Sequence, residues 1–329
     1  MLVIEARNVN DALPAALRLL QAEGIEEQSR NGPVLVAPGP VLTCYDRPTE
    51  RVLFSAGRDA NPYFHLFEAL WMLAGRNDLA WVEQFNKRFA QFSDNGRTLH
   101  AAYGRRWRHW HGLWQEDQLP QLVALLRREP HTRRAVLAMW EPTADLNTSY
   151  KDLPCNTHAY FDLRGGALNI CVCCRSNDAL WGAYGANSVH FSVLQEYIAI
   201  GVGAPVGRYR QFSYNLHAYT AMEGYPPIDP EKIGEDDCYA SGAVAPYPMV
   251  QSSLQDFDDD LGIFLVDPLE DVVYVEPFFN EVARPMYQSW HERKEKLSDG
   301  SEAAARIAAT DWRLACERWI ARRVKKVAT

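Results

Sequence analysis

The sequence predicts one domain of the α/β class, of the α+β type, in which helices pack against β-sheet. Apolar residues recur at helical spacing in residues 10–23, and residues 62–75 and 188–200 carry two more helices rich in apolar side chains. Residues 157–163 and 168–175 are instead typical of two strands joined by a short glycine-containing turn. No internal repeat or low-complexity linker interrupts the chain, which favours a single domain.

Composition and charge narrow the class of protein. The chain has 329 residues, of which 47% are hydrophobic and 23% are charged, as in ordinary globular proteins. A formal net charge of −8 argues against nucleic acid as a general partner. No apolar run reaches the length of a membrane span, and the first residues lack the features of a signal peptide. Seven cysteines without paired or zinc-site spacing predict a cytoplasmic location and no metal.

The first half of the chain supplies a carboxylate and a group of aromatic rings. Glu68 lies within the apolar helix predicted over residues 62–75, where its neighbours leave little room for a solvent-exposed face. A buried carboxylate has a raised pKa and suits proton transfer, whereas the alternative is an ordinary surface glutamate. Trp107 and Trp110 follow a polar loop. They are interpreted either as core packing or as a flat wall for a ring-shaped ligand.

Three arginines lie at a turn or at the start of a strand. Arg30 is in a polar turn before the β-rich residues 34–44, where it is either solvated or binds an anion. Arg133 and Arg134 open a strand predicted over residues 135–140. Adjacent residues of a strand point to opposite faces, so we expect one of the two to be buried or at an interface.

Cys155 is the candidate nucleophile. It follows Pro154 and stands at the mouth of a predicted strand rather than inside it. Arg175 lies one hairpin away, and a nearby positive charge favours the thiolate form of a cysteine. The alternative is a buried cysteine that acts as a small hydrophobic residue.

Three polar residues follow the predicted hairpin. Asn187 stands directly before the helix predicted over residues 188–200, where an N-cap is the ordinary role for an asparagine. A strand over residues 206–215 is predicted to deliver His217 and Tyr219, which are either ligand-binding residues or ordinary residues at a strand end.

The last third of the chain has a different pattern. Residues 225–270 are rich in proline, aspartate and glycine, and we expect the acidic residues 256–260 to form a solvated loop. Ser301 is predicted to begin one long helix over residues 302–326, whose basic end complements the helix dipole.

Eight short motifs occur in one order over roughly residues 25–220 and resemble those of thymidylate synthase and its relatives, the pyrimidine nucleotide hydroxymethylases. No single motif is specific, but six or more in register are. The resemblance implies a large mixed β-sheet packed with helices, with one sheet face forming a homodimer interface. It also implies one catalytic domain over residues 1–329, with a divergent helical region from about residue 225. The motifs are Arg30, Glu68-x-x-Trp71, Tyr103-Gly104-x-x-Trp107, Arg133-Arg134, Leu153-Pro154-Cys155, Arg175-Ser176-x-Asp178, Gly182 with Asn187, and His217-x-Tyr219.

The resemblance also implies roles for individual residues. Cys155 would add to C6 of a pyrimidine, while Glu68 and Tyr103 would move protons. The co-substrate would be 5,10-methylenetetrahydrofolate, contacted by Asp178, Gly182, Trp107 and Trp110. The nucleotide would be bound by Arg30, Arg175, Ser176, Asn187, His217 and Tyr219, and by Arg133 and Arg134 donated across the homodimer.

Three features depart from the synthase pattern, and the third favours the hydroxymethylase branch. Asn156 replaces the histidine that follows the nucleophile, and one extra residue separates Gly182 from Asn187. The chain also ends after a helix and lacks the apolar tail that excludes water from the folate site, so that water could capture the intermediate. We therefore expect a CMP or dCMP 5-hydroxymethylase. Thymidylate synthase and dUMP hydroxymethylase are the alternative enzymes, and a catalytically silent nucleotide- or RNA-binding protein is the non-enzyme alternative. An asparagine at position 187 can pair with uracil or, with its amide rotated, with cytosine.

Overall fold

Two β-sheets are built from the ten strands of the computed structural model, which describes residues 1–109, 116–234 and 236–327. The strands are β1 (Leu2–Ala6), β2 (Ile25–Ser29), β3 (Gly32–Val36), β4 (Val41–Tyr45), β5 (Val136–Ala138), β6 (Asn156–Arg164), β7 (Ala167–Cys174), β8 (Asn177–Asp178), β9 (Val206–Ser213) and β10 (Leu216–Tyr219).

Helices cover much of the remaining chain. The α-helices are α1 (Val9–Glu23), α2 (Pro62–Leu73), α3 (Leu79–Glu83), α4 (Tyr103–Arg108), α5 (Gln118–Arg128), α6 (Pro142–Asp145), α7 (Asn187–Val202), α8 (Pro230–Ile233), α9 (Leu254–Phe264), α10 (Arg284–Lys294), α11 (Ser301–Ala305) and α12 (Thr310–Val327). A 3₁₀ helix spans Lys87–Phe92, and π-helical segments span Ala179–Ala186 and Phe279–Ala283.

The larger sheet has six strands in the order β1-β4-β9-β7-β6-β5. It is mixed, because β1 is parallel to β4 and β7 to β9, while the other neighbouring strands are antiparallel. Along β7, Leu168, Ile170 and Val172 are buried and alternate with partly exposed residues. Tyr160 is 46% exposed on the opposite face, and Tyr214, which directly follows β9, is 67% exposed. One face of the sheet therefore packs against helices and the other is open.

The smaller sheet has four strands in the order β2-β3-β10-β8. Strand β10 runs parallel to β8, with His217 opposite Asp178. The sequence predicted one strand over residues 206–215. The structure instead ends β9 at Ser213 and places His217 and Tyr219 on β10 of the other sheet.

Helices α2 and α7 pack against each other at the centre of the molecule. Asn61 begins α2, because its side-chain oxygen accepts the backbone N–H of Phe64 and Pro62 then suits the first turn. All residues of α2 except Phe64 are buried, and Glu68 is among them. The sequence prediction that Glu68 lacks a solvent-exposed face is confirmed.

The acidic residues 256–260 form part of α9, so the predicted solvated loop is wrong. Asp258 accepts hydrogen bonds from Arg108 Nη2 and from the Tyr197 hydroxyl, both at 2.8 Å. Asp260 is buried, and its Oδ2 accepts the backbone N–H of Glu276. Partners from distant parts of the chain satisfy these carboxylates, and local composition does not show such partners.

The C-terminal region has two helices, α11 and α12, where the sequence predicted one. Residues 306–309 separate them. Trp319 of α12 contacts Tyr63 of α2 edge-to-face at 5.4 Å between ring centroids, and Trp290 of α10 contacts Tyr63 at 5.3 Å. The C-terminal helices therefore pack against the central helix α2. Among the described residues, no helix is both long and apolar enough to cross a membrane.

Candidate active site

Cys155 lies directly before β6, and the hydroxyl of Tyr103 on α4 holds its backbone. Its backbone N–H donates to the Tyr103 hydroxyl at 3.1 Å, and the N–H of Asn156 donates to the same oxygen at 3.2 Å. Its carbonyl accepts the N–H of Arg175 at 2.9 Å, which fixes Cys155 against the end of β7. The backbone of Cys155 is thus held where the antiparallel strands β6 and β7 meet, in agreement with the hairpin predicted from the sequence.

Arg175 lies against the backbone just before Cys155. Its Nε donates to the Pro154 carbonyl at 2.9 Å and its Nη2 to the Leu153 carbonyl at 3.3 Å. Burial raises the pKa of the Cys155 thiol above its usual range, and the positive charge of Arg175 offsets part of that rise. Arg175 itself remains exposed, so its guanidinium also faces solvent, where an anion can reach it.

The arginines predicted to bind phosphate fall into two groups. Arg30, in the turn between β2 and β3, donates to the Lys151 carbonyl at 3.3 Å and also lowers the pKa of Cys155. Arg30 and Arg175 thus both donate to backbone carbonyls of residues 151–154, just before Cys155. Arg133 and Arg134 are both exposed before β5, and Arg134 pairs with Glu129 at 2.7 Å on the surface.

The Tyr103 hydroxyl lies beside the nucleophile at the start of α4. Burial raises its pKa well above the usual value, and the neighbouring thiol of Cys155 adds to this effect. The phenol is therefore neutral at physiological pH. Both backbone N–H groups use acceptor positions on its oxygen, so its own proton is left to donate to another group.

Glu68 faces a second buried polar side chain. Its Oε2 lies 3.0 Å from Nε2 of His190 on α7, and both side chains are less than a tenth exposed. Neither this oxygen nor either ring nitrogen of His190 has a hydrogen bond to another described residue. Nearby, burial lowers the pKa of His65 well below its usual value, and Arg58 and His190 add to the effect. The site thus holds polar groups capable of proton transfer inside an apolar shell.

Asn187 does not act as the predicted N-cap. Asn187 is the first residue of α7, and Ala186, the last residue of the π-helical segment, takes the N-cap position. Its Oδ1 accepts from Asn156 Nδ2 at 3.2 Å, and its Nδ2 donates to Asn177 Oδ1 at 3.1 Å. Asn177 in turn donates to Ser213 Oγ at 2.9 Å. The amide of Asn187 is therefore oriented by two other amides.

Asp178, Gly182 and two aromatic rings line the adjacent wall. Asp178 accepts the backbone N–H of Trp181 at 2.6 Å and the Tyr225 hydroxyl at 2.9 Å, and burial raises its pKa. Trp181 meets Tyr225 edge-to-face at 4.9 Å, with the Arg88 guanidinium 5.5 Å from the Trp181 ring centroid. A side chain at Gly182 would lie 3.0 Å from Asn177 Oδ1, so glycine keeps this space open.

His217 and Tyr219 lie on β10 beside Asp178. Their rings are perpendicular, 5.5 Å apart, and Nδ1 of His217 is within hydrogen-bonding distance, 2.8 Å, of Asn215 Oδ1. The Tyr219 hydroxyl accepts from Asn31 at 3.4 Å, which links it to the turn that carries Arg30. The structure therefore brings together Arg30, Asp178, His217 and Tyr219 from distant parts of the chain.

One predicted site residue, Trp107, is not accessible to a ligand. Trp107 is 0% exposed and packs against Phe191 at 5.8 Å, so the prediction that it forms a wall for a ring-shaped ligand is wrong and its role is core packing. Trp110 lies outside the described residues. Ser176 is partly exposed next to Arg175, and its carbonyl accepts a hydrogen bond from the Cys174 thiol at 3.0 Å.

Several polar residues near the site were not singled out from the sequence. Arg58 is buried and donates through Nε to the Leu180 carbonyl at 2.6 Å, close enough to Asp178 to interact with its charge. Asn177 and His190 lie in the groups described above. Each occurs in a segment whose pattern is typical of ordinary strand or helix residues. His190 is a polar residue within an apolar helical segment, which was an available signal, whereas Arg58 and Asn177 lie in polar segments where such residues are ordinary.

These elements define a one-carbon transferase that acts on a pyrimidine nucleotide. The chain belongs to the thymidylate synthase family, since the family model described as thymidylate synthase matches residues 54–225. Members of this family use 5,10-methylenetetrahydrofolate. Among the residues that the structure describes, no cluster of three or more histidine, cysteine or acidic side chains is placed to hold a metal ion.

Three similar proteins belong to the hydroxymethylase branch of the family. The deoxyuridylate hydroxymethyltransferase of Pseudomonas phage M6 is 47% identical over 98% of this chain and 95% of its own length. That of Bacillus phage SP01 is 39% identical over 55% of this chain and 49% of its own length. That of Delftia phage PhiW-14 is 29% identical over 67% of this chain and 63% of its own length.

Proposed function

We propose that this protein is a deoxyuridylate (dUMP) 5-hydroxymethylase. The observation that carries the proposal is the 47% identity to the Pseudomonas phage M6 enzyme over 98% of the chain. That similarity includes the region after residue 225, where the match to the family model ends. The names of the relatives favour a uracil nucleotide over the CMP or dCMP expected from the sequence, and Asn187 suits uracil.

Cys155 is the nucleophile in this proposal. Its thiolate adds to C6 of the uracil ring, which makes C5 electron-rich enough to take up a one-carbon unit. The backbone bonds to Tyr103 and Arg175 hold the thiol in place, and the charge of Arg175 favours the thiolate. Glu68 and Tyr103 take up and return protons at the ring, including the proton that C5 loses. Loss of the C5 proton, with departure of tetrahydrofolate, leaves an exocyclic methylene group on the nucleotide. Water adds to this carbon and supplies the hydroxyl group, and the Cys155 thiolate leaves C6, which restores the C5–C6 double bond.

Arginines on two loops hold the nucleotide phosphate. Arg30 and Arg175 both donate to backbone carbonyls of the segment before Cys155, and Ser176 adds a hydroxyl next to Arg175. Charge-assisted hydrogen bonds from such side chains are stronger than neutral ones and suit a phosphate with two negative charges. His217 and Tyr219 bind the hydroxyl groups of the sugar from the neighbouring strand β10.

A second copy of the chain completes the site. Arg133 and Arg134 lie on the surface, where another subunit could contact them. Arg134 would exchange its exposed pair with Glu129 for the partner's phosphate. The open face of the larger sheet carries Tyr160 and is the surface that a second copy would cover. Two-fold symmetry would place the arginine pair of each subunit at the site of the other.

The wall around Asp178 fits the folate co-substrate. A carboxylate that keeps unused acceptor positions matches the ring N–H groups of a pterin, and Trp181 and Tyr225 offer aromatic surface next to it. When bound, 5,10-methylenetetrahydrofolate supplies the one-carbon unit. Asp178 orients this ring, and Gly182 keeps the space beside Asn187 open.

A panel of four nucleotides tests the proposed substrate. The protein is incubated with dUMP, UMP, dCMP or CMP, each with 5,10-methylenetetrahydrofolate, and the nucleotide products are separated and weighed by mass spectrometry. We expect 5-hydroxymethyl-dUMP to form fastest. Faster conversion of dCMP or CMP would overturn the assignment of the base, and faster conversion of UMP would overturn the assignment of the sugar.

A further inference from the structure

Three buried amides form a chain of hydrogen bonds with one direction. Asn156 donates to Asn187 at 3.2 Å, Asn187 donates to Asn177 at 3.1 Å, and Asn177 donates to Ser213 Oγ at 2.9 Å. All four residues are buried. Asn187 and Asn177 each accept a hydrogen bond at the side-chain oxygen and donate one from the side-chain nitrogen. Asn156 also donates, but its Oδ1 has no hydrogen bond to any other described residue.

We propose that Asn156 is the positioning residue that makes the site select uracil over cytosine, by fixing the direction in which Asn187 presents its amide. This inference rests on the proposed function and deepens it. With its oxygen toward Asn156, Asn187 keeps one acceptor position and one N–H free. Uracil offers a donor at N3 and an acceptor at O4, which match these two groups. Cytosine offers the opposite pair and needs the amide turned around.

Asn156 determines the direction of this series of hydrogen bonds. Ser213 at the other end carries a hydroxyl that can either donate or accept, so it tolerates both directions. At Asn156 the two directions differ, because reversal would bury an unpaired NH₂ group in place of an unpaired carbonyl oxygen. Orphaned buried donors are rarer in proteins than under-satisfied carbonyl oxygens. The observed direction is therefore the preferred one.

An aspartate on one or the other side of Asn187 tests whether the direction of the hydrogen bonds, rather than packing alone, sets the preference for the base. In Asn156→Asp the ionised carboxylate can only accept, so Asn187 must turn its nitrogen toward it, and Asn177 and Ser213 can turn in step. In Asn177→Asp the new carboxylate accepts from Asn187 as Asn177 does now, so the direction is kept. The two variants add the same charge on opposite sides of Asn187 and are matched controls. Asn156→Ala removes the donor and frees the amide to rotate.

The test is the ratio of the dissociation constants of dCMP and dUMP, measured by isothermal titration calorimetry at pH 8.5. The alkaline pH keeps the buried carboxylates ionised. We expect the wild type and Asn177→Asp to prefer dUMP, Asn156→Ala to lose at least about tenfold of that preference, and Asn156→Asp to prefer dCMP. Binding is measured because it does not depend on the Cys155 reaction.

The outcomes separate this inference from the proposed function. A wild-type protein that prefers dCMP overturns the proposed function whatever the variants do. A wild type that prefers dUMP, with the same ratio in folded Asn156→Ala and Asn156→Asp, overturns only the role of Asn156. Loss of the preference in Asn177→Asp to the same extent as in Asn156→Asp also contradicts it, because charge rather than direction would then be responsible. If Asn156→Asp does not fold, Asn156→Ala decides.

Discussion

The hydroxyl oxygen of Tyr103 accepts the backbone N–H groups of both Cys155 and Asn156, at 3.1 and 3.2 Å. One side chain thus fixes the backbone that carries the candidate nucleophile and the backbone that carries the candidate positioning residue. In Tyr103→Phe both N–H groups lose their acceptor. We expect a loss of about 1–3 kcal/mol in the free energy of unfolding and a fall in kcat/KM of at least about tenfold.

Tyr45→Phe is the matched control for this prediction. The Tyr45 hydroxyl is buried without a hydrogen bond to any described residue, so removing it should cost little stability and little activity. Chemical denaturation and steady-state kinetics measure both quantities. Tyr103→Phe behaving like Tyr45→Phe would show that the bonds to Tyr103 do not hold the site.

Cys155→Ser should abolish turnover and leave dUMP binding within about threefold of wild type, because the phosphate and sugar contacts lie on other residues. Cys173→Ser is the control. The hydrogen bond from Cys171 lowers the pKa of the Cys173 thiol to about 7, so it ionises more readily than Cys155, yet it lies on the outer face of the larger sheet. Retention of more than about a tenth of the wild-type rate by Cys155→Ser would remove Cys155 as the nucleophile.

Arg175→Gln should shift the ionisation of Cys155 to higher pH. Burial raises the pKa of this thiol and Arg175 lowers it, so removing the guanidinium leaves the pKa higher still. Because the thiolate is the reactive form, both alkylation by iodoacetamide and the acidic limb of kcat/KM should move to higher pH. Peptide mass spectrometry follows the alkylation of Cys155 alone. In Arg164→Gln, which removes an exposed arginine outside the site, the curve should stay in place, and an unmoved curve in Arg175→Gln would exclude the electrostatic role.

Two inactive chains should restore activity when mixed, if the subunits share sites. Arg134→Ala keeps Cys155 but lacks the donated arginine, and Cys155→Ala keeps the arginine but lacks the thiol. A mixed dimer has one site with both residues, so a statistical mixture should recover about a quarter of wild-type activity. Subunits are exchanged in mild denaturant, and light scattering checks the dimer. An active monomer, or no recovery from mixed dimers, would contradict the shared site.

The sequence predicted the parts of the fold that depend on local pattern. Helix α2 followed from its apolar residues after Asn61 and Pro62, and the β6–β7 hairpin followed from strand patterns around Gly165 and Gly166. The hairpin alone placed Arg175 beside Cys155. Local patterns could not show that Asp258 and Asp260 would find partners far along the chain and lie on a helix.

The surroundings of two predicted site residues depend on the same long-range packing. Asn187 matched the pattern of an N-cap, but the π-helical segment before it turns the amide toward Asn156 and Asn177 instead. Trp107 lies in a motif shared with the family, yet burial against Phe191 makes it part of the core. A residue type and its local spacing do not determine which neighbours a fold will bring to it.

The most direct test of the account is to weigh the nucleotide and follow the folate in one reaction with dUMP. Water capture uses no hydride, so a hydroxymethylase produces 5-hydroxymethyl-dUMP and tetrahydrofolate. Methyl formation takes a hydride from the folate and leaves dihydrofolate, which absorbs in the near ultraviolet. We predict a product heavier than the methylated nucleotide by one oxygen atom, with no rise in dihydrofolate absorbance. Methylated nucleotide with an equal amount of dihydrofolate would show a thymidylate synthase and contradict the account.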